Sequence, residues 1–224
     1  SEDYNFKIEN IHKKQFIYST KIKRLNLNSN MKYFCVYIHD GDKFINNQDQ
    51  NLYKYLYDLK KKKIIKKIGI SIYNVNNIKK IIKKYKFDII QIPYSIFDRR
   101  IEKYFKILKK NKIKVYARSV FLQGLLLTSS KNLDIYFKKW ILNFKLIDKF
   151  VEKKKISRLE LCLNLVFNSK YIDKVVVGVQ SLSQLKSIIN FRINKKILIP
   201  KFVKHYDKKL IYPFNWKVKN INKI

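Results

Sequence analysis

Short apolar runs recur along this 224-residue chain, separated by longer lysine-rich segments. The runs are Gln15–Thr20 (QFIYST), Tyr33–Ile38 (YFCVYI), Ile68–Ile72 (IGISI), Asp88–Ile92 (DIIQI), Ile113–Ala117 (IKVYA) and Lys174–Gly178 (KVVVG). Most are apolar at successive positions rather than at alternate ones. A strand buried on both faces has no solvent side, so parallel strands read this way. The intervening segments have helical period. Leu52, Tyr55, Leu56 and Leu59 share one face over Asn51–Lys62, and Ile78, Ile81, Ile82 and Tyr85 do so over Asn76–Lys84. Ile101, Tyr104, Phe105 and Leu108 repeat the pattern over Asp98–Lys110, where the Asp98 carboxylate is placed to cap the first turn. Further helices are predicted from Asn132 or Asp134 through Phe150, over Ser157–Phe167, and over Ser181–Phe191 with Ser181 as N-cap.

Strand and helix alternating about six times implies parallel pairing through crossovers. An open doubly wound sheet and a closed barrel both use this order. A doubly wound dinucleotide domain needs a glycine-rich first turn. With only Gly41, Gly69, Gly124 and Gly178 in the chain, no G-x-G-x-x-G exists. The expected fold is therefore α/β, a (β/α)₈ TIM barrel over residues 1–200, with a basic tail over 201–224 that packs across an end or frays. About six strands do not close an eight-stranded barrel, and such barrels usually need about 250 residues. The barrel is thus expected to be incomplete, its first strand–helix units lying ahead of Ser1.

Hydrophobic residues make up 46% of the chain, enough for a sizeable core. The net charge of +35 would by itself suggest a nucleic acid or an anionic membrane. Yet the excess is mostly lysine spread over the whole length, beside abundant isoleucine and asparagine. These are the residues of A/T-rich codons, and coding bias accounts for them without a selected polyanion surface. Lysine interrupts every apolar run before it reaches a membrane span, and the start lacks the apolar segment of a signal peptide. Cys35 and Cys162 sit inside apolar runs, where buried thiols are usual, and no metal-ligand spacing is present. The expected setting is the reducing cytoplasm, with no membrane and no specific nucleic acid as partner.

Chemistry in such a barrel sits at the carboxyl ends of the strands. The polar residues there are Thr20-Lys21, His39-Asp40, Ser71, Gln91, Arg118-Ser119 and Gly178–Ser181. Lys21 is either one surface lysine among many or a lysine whose pKa a crowded mouth lowers, able to polarise a neighbouring hydroxyl. His39 either caps its strand or donates to a substrate carbonyl. His12 and His205, in lysine-rich surroundings, read as surface residues. Arg118-Ser119 suit either a pyrophosphate or a carboxylate such as Asp98. Gly178–Ser181 lead into a helix whose first amides are either simply capped or held open for an anion.

At these positions the chain resembles the aldo-keto reductase family. The segments that carry the resemblance are YSTK (18–21), YIHD (37–40), IGISIYN (68–74), DIIQIPYSIFDRR (88–100), ARSVFLQGLLL (117–127) and VVVGVQSLSQL (175–185). They follow the family's order, about one per strand, and the wording of the fourth and fifth is similar to a bacterial branch found near surface-sugar biosynthesis genes. The resemblance implies an oxidoreductase that moves hydride from NADPH, with NAD as the alternative cofactor, to the carbonyl of a small aldehyde or ketone. It makes Lys21 and His39 two members of a catalytic set of Asp, Tyr, Lys and His. The Ser1-Glu2 pair matches a motif that follows the Tyr and Asp in the family, so both are expected ahead of Ser1 and this chain alone is expected to be inactive. The resemblance gives Ser71 and Gln91 to the nicotinamide carboxamide. It gives Arg118, Ser119 and Gly124 to the nicotinamide and pyrophosphate, and Gly178, Gln180, Ser181 and Gln184 to the adenosine phosphate. The sequence departs from the family at Ile72, where an Asn is usual, and at Arg118, where an aromatic ring often stands. It departs again at Ile188, where an Asn follows Gln184 in the family, and Lys186 is the nearest cation for a 2′-phosphate. The alternatives are a barrel that binds without catalysing and a polyanion binder driven by charge. The helical segment Lys131–Ser157 is long enough to cover the mouth.

Overall fold

A computed structural model describes residues 6–10, 16–19, 33–47, 50–200 and 203–218, the first two segments as backbone only. The chain divides into two compact units, one of Ser1–Ile92 with Tyr104–Tyr116, the other of Pro93–Lys103 with Ala117–Ile224.

In the first unit the strands are β1 (Phe6–Asn10), β2 (Phe16–Ser19), β3 (Tyr33–Ile38), β4 (Ile65–Ser71), β5 (Ile89–Pro93) and β6 (Lys114–Arg118), the last two ending at its border. They are hydrogen-bonded in the order β2-β1-β3-β4-β5-β6. β3, β4 and β5 are parallel, with Ile38 opposite Ile70 and Ser71 opposite Gln91. Val36, Ile38, Ile68, Ile70 and Ile90 are fully buried, so the unbroken apolar runs do mark strands covered on both sides. Each such side chain contributes about 1.5–3 kcal/mol relative to exposure.

β1 was not expected, because FKIEN carries no apolar run. It pairs antiparallel with both β2 and β3. The strand that leads to Lys21 therefore does not lie beside the strand that leads to His39, as a simple succession of parallel strands would have it; β1 stands between them. Chain-local pattern cannot exclude such an insertion, because it says nothing about which strands pair.

The helices of this unit are α1 (Gly41–Asn47), α2 (Gln50–Lys61), α3 (Asn77–Lys84) and α4 (Phe105–Lys110). α2 buries Leu52, Leu56 and Leu59, whereas Tyr55 is 40% exposed and falls off the stripe. α1 begins directly after His39-Asp40 and packs its start against the end of β4. A Cβ on Gly41 would lie 2.4 Å from Ile70 Cγ1 and 2.6 Å from the Ser71 carbonyl oxygen, so no side chain fits there. The Asp42 carboxylate accepts from the amides of Tyr73 and Asn74 and from Asn77 Nδ2, which ties α1 to the loop after Ser71. The helix expected over Asp98–Lys110 starts as a 3₁₀ turn, Arg100–Tyr104, and becomes α-helical only in α4. The Asp98 carboxylate accepts from the first-turn amide of Arg100 at 3.4 Å, as expected, and the Arg100 guanidinium also lies 2.8 and 2.7 Å from its two oxygens in a charged fork.

The second unit holds α5 (Ile141–Lys154), α6 (Arg158–Phe167), the short β7 (Lys174–Val175), α7 (Leu182–Ile189) and α8 (Lys208–Ile211). α6 starts at a capping box, Ser157 and Glu160 each bonding the other's backbone amide, and is buried almost all round. Its Arg158 is buried and satisfied by the Asp148 carboxylate and the carbonyls of Leu126 and Phe144. Burial acts to raise the Asp148 pKa, but hydrogen bonds from Ser130 and Arg158 outweigh it and hold the carboxyl below its ordinary range. Only two residues of the run KVVVG form β7, and the Val176 amide adds one bond to the Ala117 carbonyl, 2.7 Å away.

Residues 203–218 pack into this second unit. The Tyr212 hydroxyl accepts from Arg100 at 2.7 Å, Lys204 pairs with Glu102 at 2.9 Å, and the Trp216 ring meets Phe137 edge-on at 4.8 Å. His205, expected at the surface, is partly buried between Phe97 and Trp140.

Candidate functional site

In the first unit, residues two apart on a strand share a face, and register aligns that face across neighbours. Cys35, Tyr37, Ile89 and Tyr116 form one buried cluster on such a face. β4 contributes Gly69 opposite Tyr37, and a Cβ there would lie 2.4–2.5 Å from the Tyr37 ring carbons. The tyrosine ring thus fills the space that a β4 side chain would occupy. Two residues further along, towards the carboxyl ends, β4 and β5 carry Ser71 and Gln91, and His39 follows β3. Ser71 and Gln91 are register partners, and both are at most 9% exposed. His39 follows β3 one residue beyond Ile38, the partner of Ile70, in the bend that leads into α1.

The pair Ser71 and Gln91 stands on a closed floor of aromatic and aliphatic groups. The Ser71 hydroxyl is buried with no hydrogen-bond partner among the described residues. A buried hydroxyl left unpaired costs about 1–3 kcal/mol, so native proteins seldom leave one without a reason. Ser71 and Gln91 are therefore brought together, with His39 at the neighbouring strand end. Lys21 lies outside the described residues.

In the second unit, β6 ends at Arg118, whose Nη1 donates to Ser119 Oγ at 3.3 Å, while its carbonyl accepts from the Tyr94 amide. Asp98 is taken by Arg100, so the expected alternative of an Arg118–Asp98 pair is not formed. The backbone then passes through four left-handed conformations in six residues, with φ 56° at Ser119, 47° at Leu122, 54° at Gln123 and 85° at Gly124. Only Gly124 adopts this without steric cost; Ser119, Leu122 and Gln123 each carry strain. Strain clustered in this way marks a backbone held for a purpose. Nothing in composition or periodicity signals it, apart from the single glycine.

The Gly178–Ser181 turn is exposed, and a Cβ on Gly178 would meet nothing within 4 Å. Ser181 caps α7 as expected, its hydroxyl accepting from the Gln184 amide at 3.2 Å. Gln184 Oε1 in turn accepts from the Gln180 amide at 2.8 Å. Two amides that an anion would use are thus engaged by the chain's own side chains.

Tyr94 is the tyrosine of this unit with the strongest perturbation. Burial and the nearby Glu102 push its pKa well above the ordinary value, and its hydroxyl donates to that carboxylate at 3.1 Å. It is the opposite of a tyrosine prepared to give up a proton. Among the described residues, no cluster of three or more His, Cys, Asp or Glu could hold a metal, and no helix is long and apolar enough to cross a membrane.

Residues 12–210 match the Aldo/keto reductase family. The chain is 27% identical over 168 residues to the "Uncharacterized oxidoreductase YqkF" of Bacillus subtilis (strain 168), covering 70% of this chain and 54% of that protein. Among solved structures, it is similar to the holo form of aldo-keto reductase AKR11C1 from Bacillus halodurans. That match has a TM-score of 0.61 and 23% identity, over 72% of this chain and 55% of the other. The apo form of the same protein gives a TM-score of 0.57 and 22% identity, over 73% and 58%. The chain spans little more than half the length of these relatives. At such identities the structural likeness shows the fold alone, an α/β TIM barrel present in part.

Proposed function

The chain belongs to the aldo/keto reductase family, and from that premise we propose that it is the part of an NADPH-dependent carbonyl reductase that binds the cofactor and polarises the carbonyl. The observation that carries this is the register pair Ser71 and Gln91 above the Tyr37–Ile89 cluster, with His39 just beyond β3 and a buried Ser71 hydroxyl that has no partner among the described residues. A carboxamide offers both a donor and an acceptor, and a hydroxyl beside a glutamine amide meets both needs.

When bound, NADPH supplies the hydride. The chain's own residues do the rest. Ser71 and Gln91 orient the nicotinamide carboxamide. Ile72, buried where the family usually has Asn, leaves them to do so without a third polar group. His39 donates to the carbonyl oxygen and favours the charge that builds there. Lys21 is placed by the resemblance to polarise a proton-donating tyrosine that no residue of this chain matches. Among the phosphate contacts, Ser119 and Gly124 hold the pyrophosphate along the strained loop, and the Arg118 fork adds charge-assisted hydrogen bonds. Gly178 lets the adenosine phosphate approach closely, while Gln180, Ser181 and Gln184 exchange their mutual bonds for the ligand. Lys186 favours NADP over NAD, and the substrate is a small aldehyde or ketone. Two buried free thiols suit a reducing cytoplasm.

The test is a titration of the chain with NADPH, followed by the fluorescence of the reduced nicotinamide. Saturable binding is expected, weakened about tenfold, or 1.4 kcal/mol, by Gln91→Ala and by Gly124→Val separately. No turnover with aldehydes is expected, because no residue here matches the family's Tyr and Asp. Binding that neither substitution weakens, with both variants folded by circular dichroism, overturns the assignment.

A further inference from the structure

The first unit has a concave feature at the amino ends of its strands, opposite the ends that carry Ser71 and Gln91. A cavity of about 630 Å³ opens where α2, α3 and α4 end and β5 and β6 begin. Its apolar wall is Ile82, Phe87 and Ile113, and its rim carries Lys60, Lys61, Lys86 and Lys112. The bland account of lysines at this end is the helix dipole. Each helix terminates here with about half a negative charge, and a cation in the last turn offsets it. That accounts for Lys60 and Lys61, which lie in the last turn of α2. Lys86 and Lys112 lie one residue past the C-caps of α3 and α4, so four cations gather at the three helix ends.

The cavity's one carboxylate cannot neutralise the remainder. Asp88 is fully engaged, accepting from Lys60 Nζ at 2.6 and 2.7 Å and from the Ile68 amide at 2.8 Å. Lys61, Lys86 and Lys112 are exposed and take no carboxylate partner among the described residues. Lys61 lies 5.1 Å from the centre of the Tyr57 ring, which holds its ammonium at the rim. Three ammonium groups thus surround a walled space whose only acid is already committed.

We propose that this basal cavity is a binding site for a small phosphorylated molecule with more than one phosphate charge. Its oxygens would face Lys61, Lys86 and Lys112, and its carbon part would face Ile82, Phe87 and Ile113. Lysine is a compact point charge with three donors and suits a multiply charged oxyanion without demanding one fixed geometry. The site is independent of the carbonyl-reductase assignment, because it shares no residue with it.

The probe is inorganic pyrophosphate at near-physiological ionic strength, where charges beyond about 8 Å are screened. Lysine acetylation rates, mapped by mass spectrometry, are compared with and without it. Selective protection of Lys61, Lys86 and Lys112 is expected, with Lys149, Lys153 and Lys195 in the other unit unprotected. The triple variant Lys61→Gln, Lys86→Gln, Lys112→Gln should weaken pyrophosphate binding about tenfold, or about 1.4 kcal/mol. The triple variant Lys149→Gln, Lys153→Gln, Lys195→Gln, with the same change in charge, should not. Equal weakening in both variants, uniform protection, or no protection overturns the proposal. So does protection by an oligonucleotide but not by pyrophosphate.

Discussion

Replacing Ser71 by alanine should make the protein more stable and its cofactor binding weaker. Ser71 is 2% exposed on a central strand, and no partner among the described residues satisfies its buried hydroxyl. Its desolvation therefore opposes folding by about 1–3 kcal/mol, and the methyl of alanine carries no such cost. Taking the lower end, about 1 kcal/mol, melting of a chain of this size should rise by roughly 2–4 °C. In the complex the same hydroxyl acquires its hydrogen bond. Losing that bond costs about 1 kcal/mol, or about fivefold in the dissociation constant. Thermal unfolding followed by far-ultraviolet circular dichroism gives the first quantity, and reduced-nicotinamide fluorescence gives the second. The opposite signs are what matter, since a general packing defect lowers both stability and affinity. A melting temperature that falls, or an affinity that does not change, would refute the reasoning, because the hydroxyl would then be satisfied within the chain or irrelevant to the cofactor.

Gly69 and His205 give two further outcomes. Gly69→Ala should destabilise the chain by about 1–3 kcal/mol, because its methyl would overlap the buried Tyr37 ring; denaturant unfolding measures it. Combining it with Tyr37→Leu should recover part of the loss, giving a coupling of at least about 0.5 kcal/mol, and strict additivity would show that the ring does not lie over the glycine. His205 should make stability depend on pH. Burial lowers its pKa against the opposing pull of Asp207, and its Nδ1 accepts from the Asp207 amide at 3.1 Å. The folded chain therefore favours the neutral ring. This stabilisation is fully present above the unfolded value of about 6.5 and is lost as pH falls through the lower folded value. His205→Gln should flatten that part of the stability profile, and an unchanged profile would place the ring in solvent.

The amino-acid sequence alone located most of the elements. Runs such as YFCVYI and DIIQI have no polar face, and only strands covered on both sides tolerate that, so β3 and β5 lay in plain view. The spacing of Ile78 and Ile81 marked α3, and Ser157 and Ser181 marked the starts of α6 and α7, because period and capping are local properties. The polar residues ending the strands were legible for the same reason, His39, Ser71 and Gln91 among them. Tertiary structure alone decided the pairing. It set β1 between β2 and β3, gave Asp98 the Arg100 guanidinium in addition to a first-turn amide, and packed residues 203–218 into the second unit, with His205 between two aromatic rings. It also put the Tyr37 ring over Gly69, on which the pair Ser71 and Gln91 stands. Each of these depends on groups distant along the chain meeting in space. Period and propensity act over a few neighbouring residues and carry no term for such a meeting.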